Sequence, residues 1–295
     1  MTPPRPPSDN EAAPSVLCIG AVVRDTLATA SAPLAVGDDV PGSVVQRVGG
    51  VAANIACALV QHDCAATLVG ALGEDTAASE LLEELAGAGV DCRHLKPYPG
   101  NTDQVITLEG PDGERFAAVA DCQQWDAVSR TRRAWLCDLV SGFEGPVVLD
   151  GNAGVACLDA IMAAASGPVT IVPASEVKVA ALRELIAMHG PAVVVNRREA
   201  ERLLETTFRS SLDAAVGLLG LGARESAVTD GARDATLATQ TTVSSRRPPT
   251  VRILSTTGAG DAFAAGLVAF AHLPAAERLA HALQSAAQHL ETTLR

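Results

Sequence analysis

Ser255-Thr256-Thr257-Gly258-Ala259-Gly260-Asp261-Ala262-Phe263 leads from a hydroxyl-rich turn, through two glycines, into an apolar helix expected to run from Asp261 to Phe270. A helix N-terminus leaves its first backbone N–H groups unpaired, and glycine beside it lets a ligand approach them without side-chain obstruction. The helix dipole adds partial positive charge at the same place, so the turn suits an anion. It suits in particular the negative charge that builds on a phosphoryl group during transfer. Asp261, in the first turn, could then take the proton of an attacking hydroxyl. On these residues alone a plainer reading stays open, in which Asp261 caps the helix and the glycines only form the turn.

Upstream of this stretch, short apolar runs alternate with helical periodicity. Val147 to Asp150, Val169 to Val172, Ala192 to Val195 and Ser226 to Thr229 read as buried strands, with helices over 155–165, 176–188, 197–205 and 211–222. That alternation implies a parallel sheet covered by helices on both faces. Nearer the N-terminus come a strand from Ser15 to Gly20, a small-residue helix from Val51 to Gln61 opened by Gly49-Gly50, a strand from Ala65 to Val69, and an amphipathic helix from Thr76 to Gly87. Two stretches broken by Gly and Pro, about 26–48 and 100–120, do not fit the alternation, and the second turns at Gly110-Pro111-Asp112-Gly113 like a hairpin. They are expected to form a small sheet beside the main domain, which spans 15–295. The Pro-rich segment 1–14 is expected to be a disordered tail.

Composition narrows the function. The chain has 295 residues, 48% of them hydrophobic, and a net charge of −12, so polyanion binding is disfavoured and no nucleic-acid partner is expected. Aromatic residues make up 3%, too few for a base-stacking platform, and Trp125 and Trp135 read as core residues. No apolar window is long enough to span a bilayer, so no membrane partner is expected. The 7 cysteines show no C-x-x-C pair and read as reduced thiols of a cytoplasmic protein. Neither lysine, Lys96 or Lys178, follows a glycine-rich turn, and there is no G-x-S-x-G or H-E-x-x-H. P-loop NTPases, α/β-hydrolases and zinc enzymes are thereby set aside.

The residues also carry a resemblance. Gly258-Ala259-Gly260-Asp261-Ala262-Phe263 resembles the signature of the ribokinase-like (PfkB) carbohydrate kinases. Three further segments agree in order: Gly49-Gly50-Val51-Ala52-Ala53-Asn54-Ile55-Ala56, Val69 to Asp75, and Asn196-Arg197-Arg198-Glu199. The resemblance covers about Ser15 to Leu290 and implies a Rossmann-like three-layer α/β sandwich with a β-sheet lid over the sugar site. It implies Asp261 as the general base and Gly258, Ala259 and Gly260 as the anion hole. Asn196 and Glu199 would organise Mg²⁺, largely through water. Asp25, at the end of the first strand, and Asn54 would hold sugar hydroxyls, with Gly49 and Gly50 letting the substrate pass close to the backbone. Thr229, Gly231 and Thr257 would lie along ATP, with Asn196, Gly258 and Gly260. A homodimer through the lid is the corresponding expectation. Ser255 departs from the commonest pattern, which has Asp there in connection with a monovalent cation, so a potassium requirement does not carry over.

Weaker segments point to a subgroup. Gly100-Asn101-Thr102, Asp112 to Arg115, Ala118 to Asp121, Asp150-Gly151-Asn152 and Val172 to Lys178 resemble stretches of pseudouridine kinases. The implied reaction is transfer from Mg·ATP to the 5′-hydroxyl of pseudouridine, with Asn101, Thr102 and Asp121 on the glycone or base side. A polar lid would match the imide donor and two carbonyls of uracil and reject a free sugar, which would leave buried polar groups unpaired. Two alternatives stand: the same chemistry on ribose, fructose, a sugar acid or another nucleoside, and a noncatalytic sugar or nucleotide sensor.

Overall fold

The chain's structure is a computed structural model that describes residues 15–173, 178–253 and 256–291. A nine-stranded sheet has the order β13-β12-β11-β10-β9-β8-β1-β4-β5. Here β1 is Ser15–Ile19, β4 Ala65–Leu72, β5 Asp91–Pro97, β8 Val147–Asp150, β9 Val169–Val172, β10 Ala192–Asn196, β11 Glu225–Thr229, β12 Ala235–Thr239 and β13 Val243–Arg246. The strands from β11 to β5 run parallel, as the alternation implies, and β12 and β13, which lie beyond the strands expected from it, join one edge antiparallel.

Alternate residues of each strand feed opposite cores. Val16 and Cys18 of β1 face the cluster built by α1 (Val51–Val60), α2 (Thr76–Gly87), α9 (Ala259–Ala269) and α10 (Ala275–Glu291). Leu17 and Ile19 face the other, under α3 (Gln124–Thr131), α4 (Arg133–Ser141), α5 (Val155–Ala164), α6 (Arg183–His189), α7 (Arg197–Leu204) and α8 (Ser211–Leu221). Strands buried on both faces are near-continuous apolar runs for this reason. Trp125 is buried in the second core, as expected of a core residue.

A separate four-stranded sheet, in the order β3-β2-β6-β7, consists of β2 (Val23–Ala30), β3 (Gly42–Gly49), β6 (Gln104–Glu109) and β7 (Arg115–Asp121). Its inner face closes over the carboxyl ends of the large sheet, the place where open α/β sheets bind ligands. The first strand stops at Ile19, so Asp25 does not end it. The chain crosses at Gly20, which lies against Asp150, and Asp25 sits on β2 in the small sheet. The hairpin turn forms where Gly113 N–H donates to the Gly110 carbonyl at 3.0 Å. The helix expected over 176–188 is, in its described part, a 3-10 turn Val179–Leu182 followed by α6.

Candidate active site

The signature turn becomes the N-terminus of α9, which starts at Ala259, two residues before the expected start. Gly258 is its N-cap with φ +88°, a conformation that favours glycine. Among the described residues, the backbone N–H groups of Gly258, Gly260 and Asp261 donate to no protein acceptor. They open on a cavity of about 660 Å³ between the small sheet and the carboxyl ends of β9, β10 and β11. Ala259, expected in the anion hole with the two glycines, instead donates its N–H to the Thr256 carbonyl at 3.4 Å and lines an adjoining cavity.

Asp261 stands at the floor of this cavity and accepts a hydrogen bond from Asn54 Nδ2 at 2.8 Å. Desolvation, with the carboxylates of Asp150 and Glu199 nearby, pushes its carboxyl up to about 7 against the pull of the Asn54 bond and Arg47. Asn54 is delivered by α1, whose N-cap Gly50 has φ +97° and lies so close to the Ala21 carbonyl that a Cβ would fall 2.2 Å from it. Only glycine lets the chain turn there between the two sheets.

Asp25 also lines the cavity, but its Oδ2 is engaged by Arg47 Nη2 at 3.2 Å, its cross-strand neighbour in the β2–β3 ladder. Gly49 lies behind Asp25, where a Cβ would come 2.7 Å from the Asp25 Cβ, and does not itself line the cavity. Asn196 and Glu199 form a capping box at the start of α7: Asn196 Oδ1 accepts from Glu199 N–H at 2.9 Å, and Glu199 Oε2 accepts from Asn196 N–H at 2.8 Å. Both line the cavity beside Thr229 and Thr257. Gly231 lies one step away, with Thr229 and Gly260, on an adjoining mainly apolar cavity of about 400 Å³.

Three expected site residues are placed elsewhere. Thr102 is buried under the small sheet, where its hydroxyl donates to Asp75 Oδ1 at 2.6 Å and accepts from Gly73 N–H at 3.1 Å. It ties the start of β6 to the β4–α2 loop. Asn101 is exposed, with its carbonyl accepting from Gln124 Nε2 at 2.8 Å, and Asp121 is exposed at the end of β7, bonded to Gln123. None of the three lines the cavity: Asn101 and Thr102 precede β6, and Asp121 lies on the outward-facing side of β7, whereas Val105, Thr107, Ala118 and Ala120 point in. Ser255 lies outside the described residues.

Other residues occupy positions that were not singled out as site residues. Asn152, Lys178 and Arg115 line the cavity, and Lys178 Nζ lies 3.3 Å from Asn152 Oδ1. Asp150 is fully buried at the end of β8, accepting from Ala21 N–H at 3.0 Å and Asn152 N–H at 2.8 Å; burial pushes its carboxyl up to about 6. Glu109 of the small sheet is buried, its carboxyl raised by desolvation, and its Oε1 accepts from Thr257 Oγ1 at 3.4 Å. The only sequence signal for Arg47 was its place opposite Asp25, which requires the strand register to be known.

The architecture is that of the ribokinase-like kinases. The structure is similar to a carbohydrate kinase from Agrobacterium tumefaciens (TM-score 0.78, 23% identity, 95% of this chain and 92% of that one). It is also similar to ribokinases from Thermotoga maritima (0.77, 17%, 95% and 93%) and from Cryptococcus neoformans in complex with ADP (0.75, 20%, 96% and 95%). No curated protein matches the sequence. Residues 13–289 match the pfkB family of carbohydrate kinases, and the chain belongs to that family. It is a phosphotransferase with an alcohol group as acceptor.

Proposed function

We propose that the protein transfers the γ-phosphoryl group of ATP to the 5′-hydroxyl of pseudouridine, giving pseudouridine 5′-phosphate and ADP. The observation that carries the chemistry is Asp261, held by Asn54 at 2.8 Å beside the unpaired amides of the α9 N-terminus. As the 5′-oxygen bonds to the γ-phosphorus, Asp261 takes its proton. The bond from that phosphorus to the β–γ bridging oxygen breaks, and its electron pair leaves with ADP. The unpaired N–H groups of Gly258, Gly260 and Asp261 stabilise the charge on the moving phosphoryl group, and positioning does the rest.

Asp25, with Oδ2 on Arg47, has Oδ1 for a sugar hydroxyl, and Gly50 and Asn54 line the same cavity. Asn152, Lys178 and Arg115, on the wall of the same cavity, offer donors suited to the two carbonyls of uracil. With Thr102 buried in the scaffold, this trio replaces Asn101, Thr102 and Asp121 as the base-reading candidates. The adjoining apolar cavity, reached past Thr229 and Gly231, suits the adenine of ATP.

Among the described residues, no three His, Cys, Asp or Glu side chains converge on a metal-binding cluster. Glu199 and Asn196, at a helix end on the cavity wall, fit a Mg²⁺ ion that keeps most of its waters and draws its other ligands from phosphates. Bound there, Mg²⁺ would neutralise phosphate charge.

The outer face of the small sheet exposes Val44, Ile106, Leu108 and Val119, which supports a homodimer through this surface. Among the described residues no helix is long and apolar enough to cross a membrane; a cytoplasmic location belongs to the proposal.

ADP release with Mg·ATP, measured against pseudouridine, uridine, adenosine, ribose and fructose, tests the reading. Turnover on pseudouridine at a kcat/KM well above the others is expected. Preference for a free sugar would remove the base-reading role of Asn152, Lys178 and Arg115. Silence on all five, with binding seen by calorimetry, would favour a sensor.

A further inference from the structure

The anion-binding turn is gripped from behind by a residue that lies outside every motif described above. His289, half-buried in the last turn of α10, places Nε2 2.8 Å from the Thr257 carbonyl oxygen. A carbonyl can only accept, so Nε2 must carry the proton, whatever the state of the other ring nitrogen. The ring also lies against the signature glycine: a Cβ on Gly258 would sit 2.8 Å from His289 Nε2.

A trans peptide unit is planar, with its C=O and N–H pointing in opposite directions. Drawing the Thr257 carbonyl back toward α10 therefore aims the Gly258 N–H the other way, toward the cavity that holds Asp261. Thr257 is gripped a second time from the small sheet, where its hydroxyl donates to Glu109 at 3.4 Å. Behind the turn lies a further cavity of about 780 Å³ with a mixed lining, in which Arg47, Gln61, His62, Gln288 and His289 stand beside Val45, Val48 and Ala58. Water admitted there would compete for the Thr257 carbonyl and let the peptide rotate if the imidazole were absent.

Granted the phosphoryl cradle proposed above, we propose that His289 is a positioning residue for phosphoryl transfer: it locks the Thr257–Gly258 peptide plane so that the Gly258 amide faces the phosphoryl group. It touches no reacting atom, so its effect should fall on kcat and spare the acceptor's KM.

The test compares His289→Leu, which fills the space without a donor, with His289→Gln, which restores an N–H, using whichever acceptor the wild-type enzyme turns over. Expected are a fall in kcat of about tenfold or more for His289→Leu, an acceptor KM within about twofold, and recovery of most of kcat in His289→Gln. An unchanged kcat in His289→Leu would overturn the proposal, as would equal loss in both variants with matching losses of thermal stability. Should neither variant fold, ¹⁵N NMR of the wild-type histidines still decides, because a His289 ring protonated on Nδ1 alone excludes the contact. Asp261→Asn, run in parallel, separates this from the cradle itself. If it retains turnover the cradle reading falls, whereas an inactive Asp261→Asn beside a fully active His289→Leu removes only the role of His289.

Discussion

Asp261 meets opposing influences: burial and the nearby Asp150 and Glu199 disfavour its charge, and the Asn54 amide favours it. A general base must be unprotonated, so kcat/KM is expected to rise with pH through about 7, where this carboxyl titrates. A profile flat from about pH 5.5 to 8.5 would remove Asp261 from that role. The same shift has a consequence for stability. The folded protein holds this proton more tightly than an ordinary Asp at 3.8, so the contribution is complete below that value and is lost as pH rises to about 7. Asp261→Asn should therefore lower turnover by about 10²-fold or more and yet raise Tm at pH 8, by about 2 °C for each ~1 kcal/mol recovered. Calorimetry at pH 8 and at pH 5 checks it, with a smaller gain expected at the lower pH. The Asn54 bond that sets this balance joins residues 207 positions apart, and no local pattern announces it.

At the scale of single elements, two helix starts carry the site. The capping box of α7 uses the same two residues that are proposed to organise Mg²⁺, so structure and function can be separated by the choice of substitution. Glu199→Gln keeps an oxygen for the Asn196 N–H and should leave Tm nearly unchanged while raising the Mg²⁺ needed for half-maximal rate several-fold. Asn196→Ala loses the cap as well and should cost about 1 kcal/mol of stability, read from denaturant unfolding. If Glu199→Gln shifts neither Mg²⁺ dependence nor kcat, the residue is only a cap. The α7 start was legible because its capping bonds close within three residues, whereas that of α9, which no side chain caps, was read two residues late. The start of α3 was not legible. Its N-terminal amides at Gln123 and Gln124 are capped by Asp103, about 20 residues earlier, at 2.7 and 2.8 Å. A cap supplied through tertiary structure leaves no mark in the local sequence, and α3 went unread.

The whole molecule adds the relation of the small sheet to the large one and to any second copy. Val119 is 71% exposed and faces outward opposite Ile106, so both present apolar surface that the described residues leave uncovered. Val119→Lys is expected to convert a dimer to a monomer by light scattering, with little change in the monomer's fold. A wild-type protein that is monomeric at micromolar concentration would discard this interface. The inward face of the same sheet places Asp25, Thr107 and Arg115 on the cavity. Arg115→Ala should therefore raise the acceptor's KM without abolishing turnover, since Asp261 and the α9 amides remain in place.

What the sequence determined by itself were features written in neighbouring residues: the alternation of buried runs with helices, the glycine turn before Asp261, and the N-x-x-E pair that closes its own capping box. Each is decided by contacts a few positions apart, or by the period of a strand or helix. Tertiary structure alone decided that Asn54 meets Asp261, that Asp25 is shared with Arg47, that Thr102 serves the scaffold, and that His289 backs the signature glycine. These depend on strand register and on the docking of distant elements. A shift of one residue along a strand turns a side chain from the cavity to the opposite face.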